Sequence, residues 1–373
     1  MMKKIVFSSH TILFFILQNM VETITFKKVP PYPIMPNIVK LYISKSLDSE
    51  KIYNQLFFLS YTSCLDFHKQ NTSNKHIGIN FFSTQRKSKV ILSTSLKRPT
   101  NVYLKKSVIH NEKQLAFYVG LALGLIPEVI RSDRNEHIKI HWKNILKSYK
   151  KYYKKEPYNE KYLTNTGFDF SSVMIYNPYY GSKNGKQTFV SKLYPYYEKV
   201  LNIFKHFSYN DIKRINYMYC GNICRKENQC LHGGYFIKTC DGCRCPLGFI
   251  GNKCENIDSE FDKCSPKNNF LAYSFKKNLL IKNISRFCMY SIKSKKGRKV
   301  RITILNTKLS KTNSCDKGIG IEIKYGKDKA AKGLLLCNNY RNIKIPAISS
   351  EIYIIFSNYY RDNLLKLSYN EVK

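Results

Sequence analysis

Residues 117–134 read FYVGLALGLIPEVIRSDR, and the rest of the chain is organised around them. From Leu115 onward apolar side chains cover almost every face, which predicts a deeply buried helix opening near Asn111–Glu112 and running to Gly124. Phe117 and Leu121 stand four residues apart on one side of that helix. Pro127 follows it, where a missing N–H and a fixed φ are tolerated. Charge returns only in the tail, at Glu128, Arg131, Asp133 and Arg134.

This frame resembles the active-site segment of astacin-family metalloendopeptidases, H-E-x-x-H-x-x-G-x-x-H-E-x-x-R-x-D-R. Gly124 and the tail from Glu128 to Arg134 match. The resemblance puts the three zinc ligands at Phe117, Leu121 and Pro127, and the catalytic glutamate at Tyr118. A catalytic zinc needs about three protein donors and an open position for water, and Phe, Leu and Pro offer no lone pair. The family's glutamate moves the proton of the zinc-bound water. A phenol of pKa about 10 is a poor base at neutral pH. His110, His137 and His141 lie outside the ligand positions. Phe117 and Leu121 are expected to fill the volume of the metal site. Restoring all four reactive residues is therefore expected to give poor folding rather than activity.

Other segments extend the resemblance. Ser172-Val173-Met174-Ile175-Tyr176, followed by SKNGK at 182–186, is similar to the family's Met-turn, with Ile175 in place of a histidine. Gly124, Glu128, Met174 and Tyr176 are thus the retained cleft residues. The string from Met35 resembles the opening strand of the domain. Asp48 is a plausible N-cap for a helix burying Ile52, Leu56 and Leu59. Strands are predicted at Ile77–Phe82 and Lys89–Ser93, and a last helix over 207–220. The domain would cover 35–220, after a signal peptide at 1–18 and a short pro-region at 19–34.

Six cysteines crowd into 224–254 with Gly233-Gly234-Tyr235 and a C-x-C, which resembles an EGF-like module over 221–256. So small a unit needs covalent staples. Alternating segments at Val300–Leu305, Ile319–Tyr325 and Ile352–Phe356 suggest an all-β sandwich, similar to a CUB domain, over 264–371. Carried over from these families, the disulfides are Cys64–Cys220, Cys224–Cys240, Cys230–Cys243, Cys245–Cys254, Cys264–Cys288 and Cys315–Cys337. Ile319 and Asn358 stand at the two aspartate positions of a CUB calcium site, which argues against hard-cation binding there. The fold class is therefore an α+β metzincin-like astacin domain, then a disulfide-rich EGF-like module and a CUB-like sandwich.

The cysteines number twelve, an even count that suits an oxidising compartment. N-x-S/T sequons stand at Asn71 and Asn283. After residue 18 no apolar run is long enough to cross a membrane. Net charge is +38, carried by 51 lysines and 12 arginines against 25 acidic residues. Abundant Lys, Asn, Ile and Tyr are what an AT-rich coding sequence produces. The runs Lys147–Lys155 and Lys293–Arg301 are nevertheless dense enough to attract polyanions. The expectation is a secreted pseudopeptidase without a cofactor, binding extracellular protein or glycosaminoglycan-like polyanions rather than nucleic acid. Two alternatives stand beside it: an active zinc metalloendopeptidase, and a purely polyanion-binding secreted protein.

Overall fold

Asp48 ends the first strand's connection and starts the first helix, its Oδ1 accepting from the Lys51 N–H at 3.4 Å. The computed structural model describes residues 37–373 apart from 157–165, 200, 202, 222, 225–226, 263, 265–266, 285–286, 310–318 and 358–362. The expectations for residues 1–34, Met35, Cys315 and Asn358 lie outside the described residues.

Strand β1 (Ile38–Ile43) buries Val39, Leu41 and Ile43 on one face. Helix α1 (Ser49–Thr62) crosses over to β2 (Asp66–Lys69), which runs parallel to β1. Ile52, Leu56 and Leu59 recur at helical spacing and are buried. Next come β3 (Ile79–Ser83), β4 (Lys89–Ile91) and β5 (Thr100–Leu104), giving a sheet of order β2-β1-β3-β5-β4. Only β4 is antiparallel to its neighbour, and it is an edge of the sheet among the described residues. The observed strands at 79–83 and 89–91 sit within two residues of the predicted ones.

Helix α2 (Lys106–Ile109) leads into α3 (Glu112–Ala122), which packs beside this sheet. Asn111 caps α3 by accepting from the Gln114 N–H at 3.0 Å. Gly124 at φ +85° takes the left-handed turn that stops it, and the Leu125 N–H returns to the Gly120 carbonyl at 2.9 Å. Beyond lies a lobe of turns and short helices, holding one small pair, β6 (Ile138–Ile140) with β7 (Phe189–Ser191). The last helix is shorter than the expected 207–220. Ser208 and Asp211 form a capping box for α4 (Tyr209–Ile215), and a π-turn over Asn216–Cys220 follows. Cys220 is bonded to Cys64.

Disulfides Cys224–Cys240, Cys230–Cys243 and Cys245–Cys254 hold a module of two tiny hairpins, β8 (Tyr235–Phe236) with β9 (Cys243–Arg244) and β10 (Phe249–Ile250) with β11 (Asn256–Ile257). A short helix α5 (Ser259–Asp262) and the bond Cys264–Cys288 lead into a two-sheet sandwich. Its strands are β12 (Asn269–Leu271), β13 (Lys277–Lys282), β14 (Cys288–Lys293), β15 (Lys299–Lys308), β16 (Gly320–Lys324), β17 (Leu334–Leu336), β18 (Arg341–Ile345), β19 (Glu351–Ser357) and β20 (Leu364–Val372). They form sheets of order β12-β14-β19-β16-β17 and β13-β20-β15-β18.

The three parts are packed together. Asp328 of the sandwich accepts from the Gly167 N–H at 2.7 Å and the Asn210 amide at 2.9 Å in the first domain. A Cβ on Gly233 would lie 2.1 Å from its other oxygen, so the disulfide module closes on the same carboxylate. The Tyr353 hydroxyl reaches His232 Nε2 at 3.0 Å, and Phe249 stacks edge-on against the Tyr353 ring.

Inside the sandwich, burial alone would push the Glu322 carboxyl up. Lys324 at 3.2 Å and Lys332 at 2.7 Å outweigh it and bring the pKa down to about 2. A carboxyl depressed in the folded state stabilises fully above its unfolded pKa of about 4.3 and loses that contribution as pH falls. Stability should therefore fall between about pH 4 and pH 2, and Glu322→Gln should flatten that slope. Denaturant midpoints measured across this range check it; identical pH profiles would remove Glu322 as the cause.

Candidate functional site

Helix α3 presents Phe117, Tyr118 and Leu121 half-exposed to an open cleft of ≈ 740 Å³, where a filled interior was expected. The helix is buried on its other faces, through Leu115, Ala116, Val119 and Ala122. On this side no described element crosses over to cover it. Ser88, Lys89 and Val90 at the edge strand β4 form one bank, and Pro127 and Ile130 continue the floor. The opposite bank is aromatic. Tyr176 packs tilted against Tyr180 with centroids 4.6 Å apart, Tyr180 meets Tyr152 at 6.1 Å, and Phe117 lies 5.9 Å from Tyr176. Lys151, Lys154 and Lys155 stand exposed on the rim beside Tyr152, while Glu156 is the one acidic residue of the lining among the described residues.

Of the four retained residues, only Gly124 and Tyr176 line the cleft. Met174 is wholly buried behind α3, and a Cβ on Gly120 would lie 2.6 Å from its sulfur. Sequence reasoning passed over Gly120; its signal was a glycine inside an apolar helix. Glu128 also lies behind the cleft, fully buried, because its partners are there. Its Oε1 accepts from Arg214 Nη1 of α4, its Oε2 accepts from the Asp169 N–H at 3.2 Å, and Arg131 approaches to 3.7 Å. Burial pushes the Glu128 carboxyl up and the two guanidinium groups pull it back. Arg214 is held above its ordinary range by Glu128 and Asp211, against its own burial, so we read the pair as ionised. Asp211 in turn accepts from the Ser172 hydroxyl at 2.6 Å and the Val173 N–H at 3.1 Å. Arg131 clamps Asp133 through two bonds of 2.8 and 2.7 Å, and Arg134 donates to the Val129 and Tyr153 carbonyls.

Tyr118 donates its hydroxyl to the Ser88 carbonyl at 3.3 Å, and burial pushes its phenol above the ordinary value. It keeps its proton at neutral pH and cannot serve as a base there. Tyr176 points its hydroxyl toward the Tyr152 carbonyl at 3.4 Å and is likewise pushed up by burial. The histidines are elsewhere: His110 meets Lys51 Nζ at 2.8 Å, and His137 stacks on Phe168. Neither they nor His141 line the cleft. Among the described residues, no three His, Cys, Asp or Glu side chains come together to hold a metal. The hydrocarbon side chains of Phe117, Leu121 and Pro127, at the positions where the resemblance puts the ligands, do not fit a zinc ion.

Asn71 and Asn283 are both exposed, Asn283 at φ +60°; Ser285 of its sequon lies outside the described residues. No described helix is long and apolar enough to cross a membrane.

Breaking the buried pair from one side leaves an uncompensated charge, which costs about 3–5 kcal/mol. Arg214→Met should destabilise by that order, and adding Glu128→Gln should recover part of it. Urea unfolding of the two variants checks this. No recovery in the double variant would show that Arg214 acts through its other contacts.

Residues 36–220 match the family model for astacin, a family of peptidases. Zinc metalloproteinase nas-34 of Caenorhabditis elegans is 27% identical over 237 residues, which cover 63% of this chain and 38% of the relative. Zinc metalloproteinase dpy-31 of Haemonchus contortus is 30% identical over 196 residues, covering 52% and 36%. The chain thus spans less than two-fifths of either curated relative. High choriolytic enzyme 1, a hatching enzyme zinc-protease from Oryzias latipes, is 21% identical with a TM-score of 0.42, over 49% of this chain and 89% of that chain. Through residues 36–220 the chain belongs to the astacin family.

Proposed function

We propose that this protein is a secreted astacin-like pseudopeptidase, with an EGF-like module at 221–256 and a CUB-like sandwich at 264–371, that holds protein segments without cutting them. One observation carries the reading: at the four positions where the family places its metal ligands and base, Phe117, Tyr118, Leu121 and Pro127 face an open cleft. The cleft has what capture of an extended chain requires. The edge strand β4 offers unpaired backbone groups to a guest strand. Beside it, Leu121, Phe117 and the tyrosine bank accept apolar side chains. At the position of the family's base it offers no group that would activate water: Tyr118 is a hydrogen-bond donor there, and Glu128 is locked behind the wall. Disulfide bonding supports an oxidising, extracellular setting.

The test is elemental analysis of the purified full-length chain together with a casein-cleavage assay. Zinc well below stoichiometric and no chelator-sensitive cleavage are expected. Stoichiometric zinc with cleavage abolished by chelator would establish the active metalloendopeptidase instead.

Because the cleft is open, the expectation of poor folding for the restored site is revised. The variant Phe117→His, Tyr118→Glu, Leu121→His, Pro127→His places three of its four polar groups against solvent. It should retain a cooperative thermal transition. Failure to fold would mean that the cleft closes on itself in solution.

A further inference from the structure

The sandwich sheet of order β13-β20-β15-β18 is apolar inside and basic outside. In β15, Val300, Ile302 and Ile304 are buried while Lys299 and Arg301 are exposed. The register carries this alternation across the sheet. Thr303 lies opposite Ser368 and Lys344, Asn306 opposite Lys366 and Arg341, and Leu364 opposite Lys282 and Lys308. The outward face therefore carries Lys282, Lys299, Arg301, Lys308, Arg341, Lys344 and Lys366.

Between these cations stand Asn278, Thr303, Asn306, Ser368 and Asn370, with no carboxylate among the described outward residues. Glu371, opposite buried Val300, belongs to the other face. The ion pairs described for the sandwich run through Glu322 and Glu351 instead. The turn before β15 adds exposed Lys295 and Lys296 beside Lys299. Neighbouring strands are about 4.8 Å apart and outward residues about 6.6 Å apart along a strand. A face so built repels itself and gathers counterions, which a linear polyanion releases on binding.

We propose that this face binds a linear sulfated polysaccharide. Five of its seven cations are lysines, point charges on flexible stems that tolerate variable sulfate spacing. No outward strand residue is aromatic, so the strands themselves give nucleic-acid bases no stacking platform, and the exposed Tyr273 and Phe275 before β13 stack on each other. Outward apolar residues are confined to Leu280, Leu364 and Val372, too few to insert into a bilayer. The site lies on the sandwich, so it stands or falls independently of the cleft.

The full-length chain is titrated with a heparin-derived oligosaccharide at several salt concentrations. Arg301→Gln, Lys344→Gln, Lys366→Gln removes one cation from each of three adjacent strands. The control, Lys151→Gln, Lys154→Gln, Lys155→Gln, removes the same charge from the cleft rim. The sheet variant should bind at least about tenfold more weakly, with the log–log salt slope reduced by about 2–3. The rim variant should change affinity by less than about twofold, and Lys344→Arg with Lys366→Arg should keep parental binding. Thermal unfolding confirms that each variant folds. Equal losses in sheet and rim variants would overturn the proposal in favour of diffuse charge. Tighter binding to RNA or to phosphatidylserine vesicles than to heparin at the same salt would overturn it as well.

Discussion

The buried pair between Glu128 and Arg214 is the tie on which the first domain depends. Glu128 stands where the chain leaves helix α3, and Arg214 stands on α4, 86 residues later. Asp211, one turn before Arg214, holds Ser172 and Val173, so the same cluster fixes the turn that carries Met174. Met174 then packs against Gly120, back on α3. The circuit runs through Glu128, Arg214, Asp211, Ser172, Met174 and Gly120 and passes through none of positions 117, 118, 121 or 127. On the proposed reading, that is how the frame accommodates four residues without reactive groups at these positions. Removing two charges from water is costly, and partners on several sides offset that cost. A frame held this way tolerates change in the cleft and resists change behind it.

The tail motif illustrates why. Glu128, Arg131, Asp133 and Arg134 look like active-site residues when read as a string, because they follow the metal-binding pattern directly. In space they face away from the cleft. Arg131 pairs with Asp133, and Arg134 satisfies two carbonyls, Val129 and Tyr153. A charge-rich string beside a catalytic helix can thus be architecture. It persists because each buried guanidinium satisfies carbonyls or carboxylates that would otherwise lack partners.

Much of the scaffold was legible in the sequence for local reasons. Asp48 and Asn111 cap their helices with their own side chains, Gly124 supplies a left-handed turn, and the buried spacing of Ile52, Leu56 and Leu59 is periodic. What escaped depends on contacts across the chain. The apolar surface of α3 reads the same whether a neighbouring element covers it or solvent meets it, and only the tertiary structure left Phe117 and Leu121 facing a cleft. Gly120 carried only the signal of a glycine inside an apolar helix, and neither it nor Gly233 named the sulfur and carboxylate that a side chain there would meet. Asp328 gave none of its place where three modules meet. Tyr180 became part of the cleft only because the turn after Pro178 folds back beside Tyr176.

Binding and turnover make separable demands on such a site. Holding an extended chain needs an unpaired strand edge and apolar surface at the right height, and β4 with the tyrosine bank supplies both. Cutting it needs a polarised water and a base, which require donors of specific type at specific positions. On the proposed pseudopeptidase reading, the residues replaced fall wholly in the second set. Leucine and phenylalanine at the old ligand positions increase apolar contact for a guest while removing every lone pair, so one set of changes moves both properties in opposite directions. A cleft altered in this way gains nothing by closing. Its openness is what the binding reading requires, and a collapsed interior would have left that reading without a site.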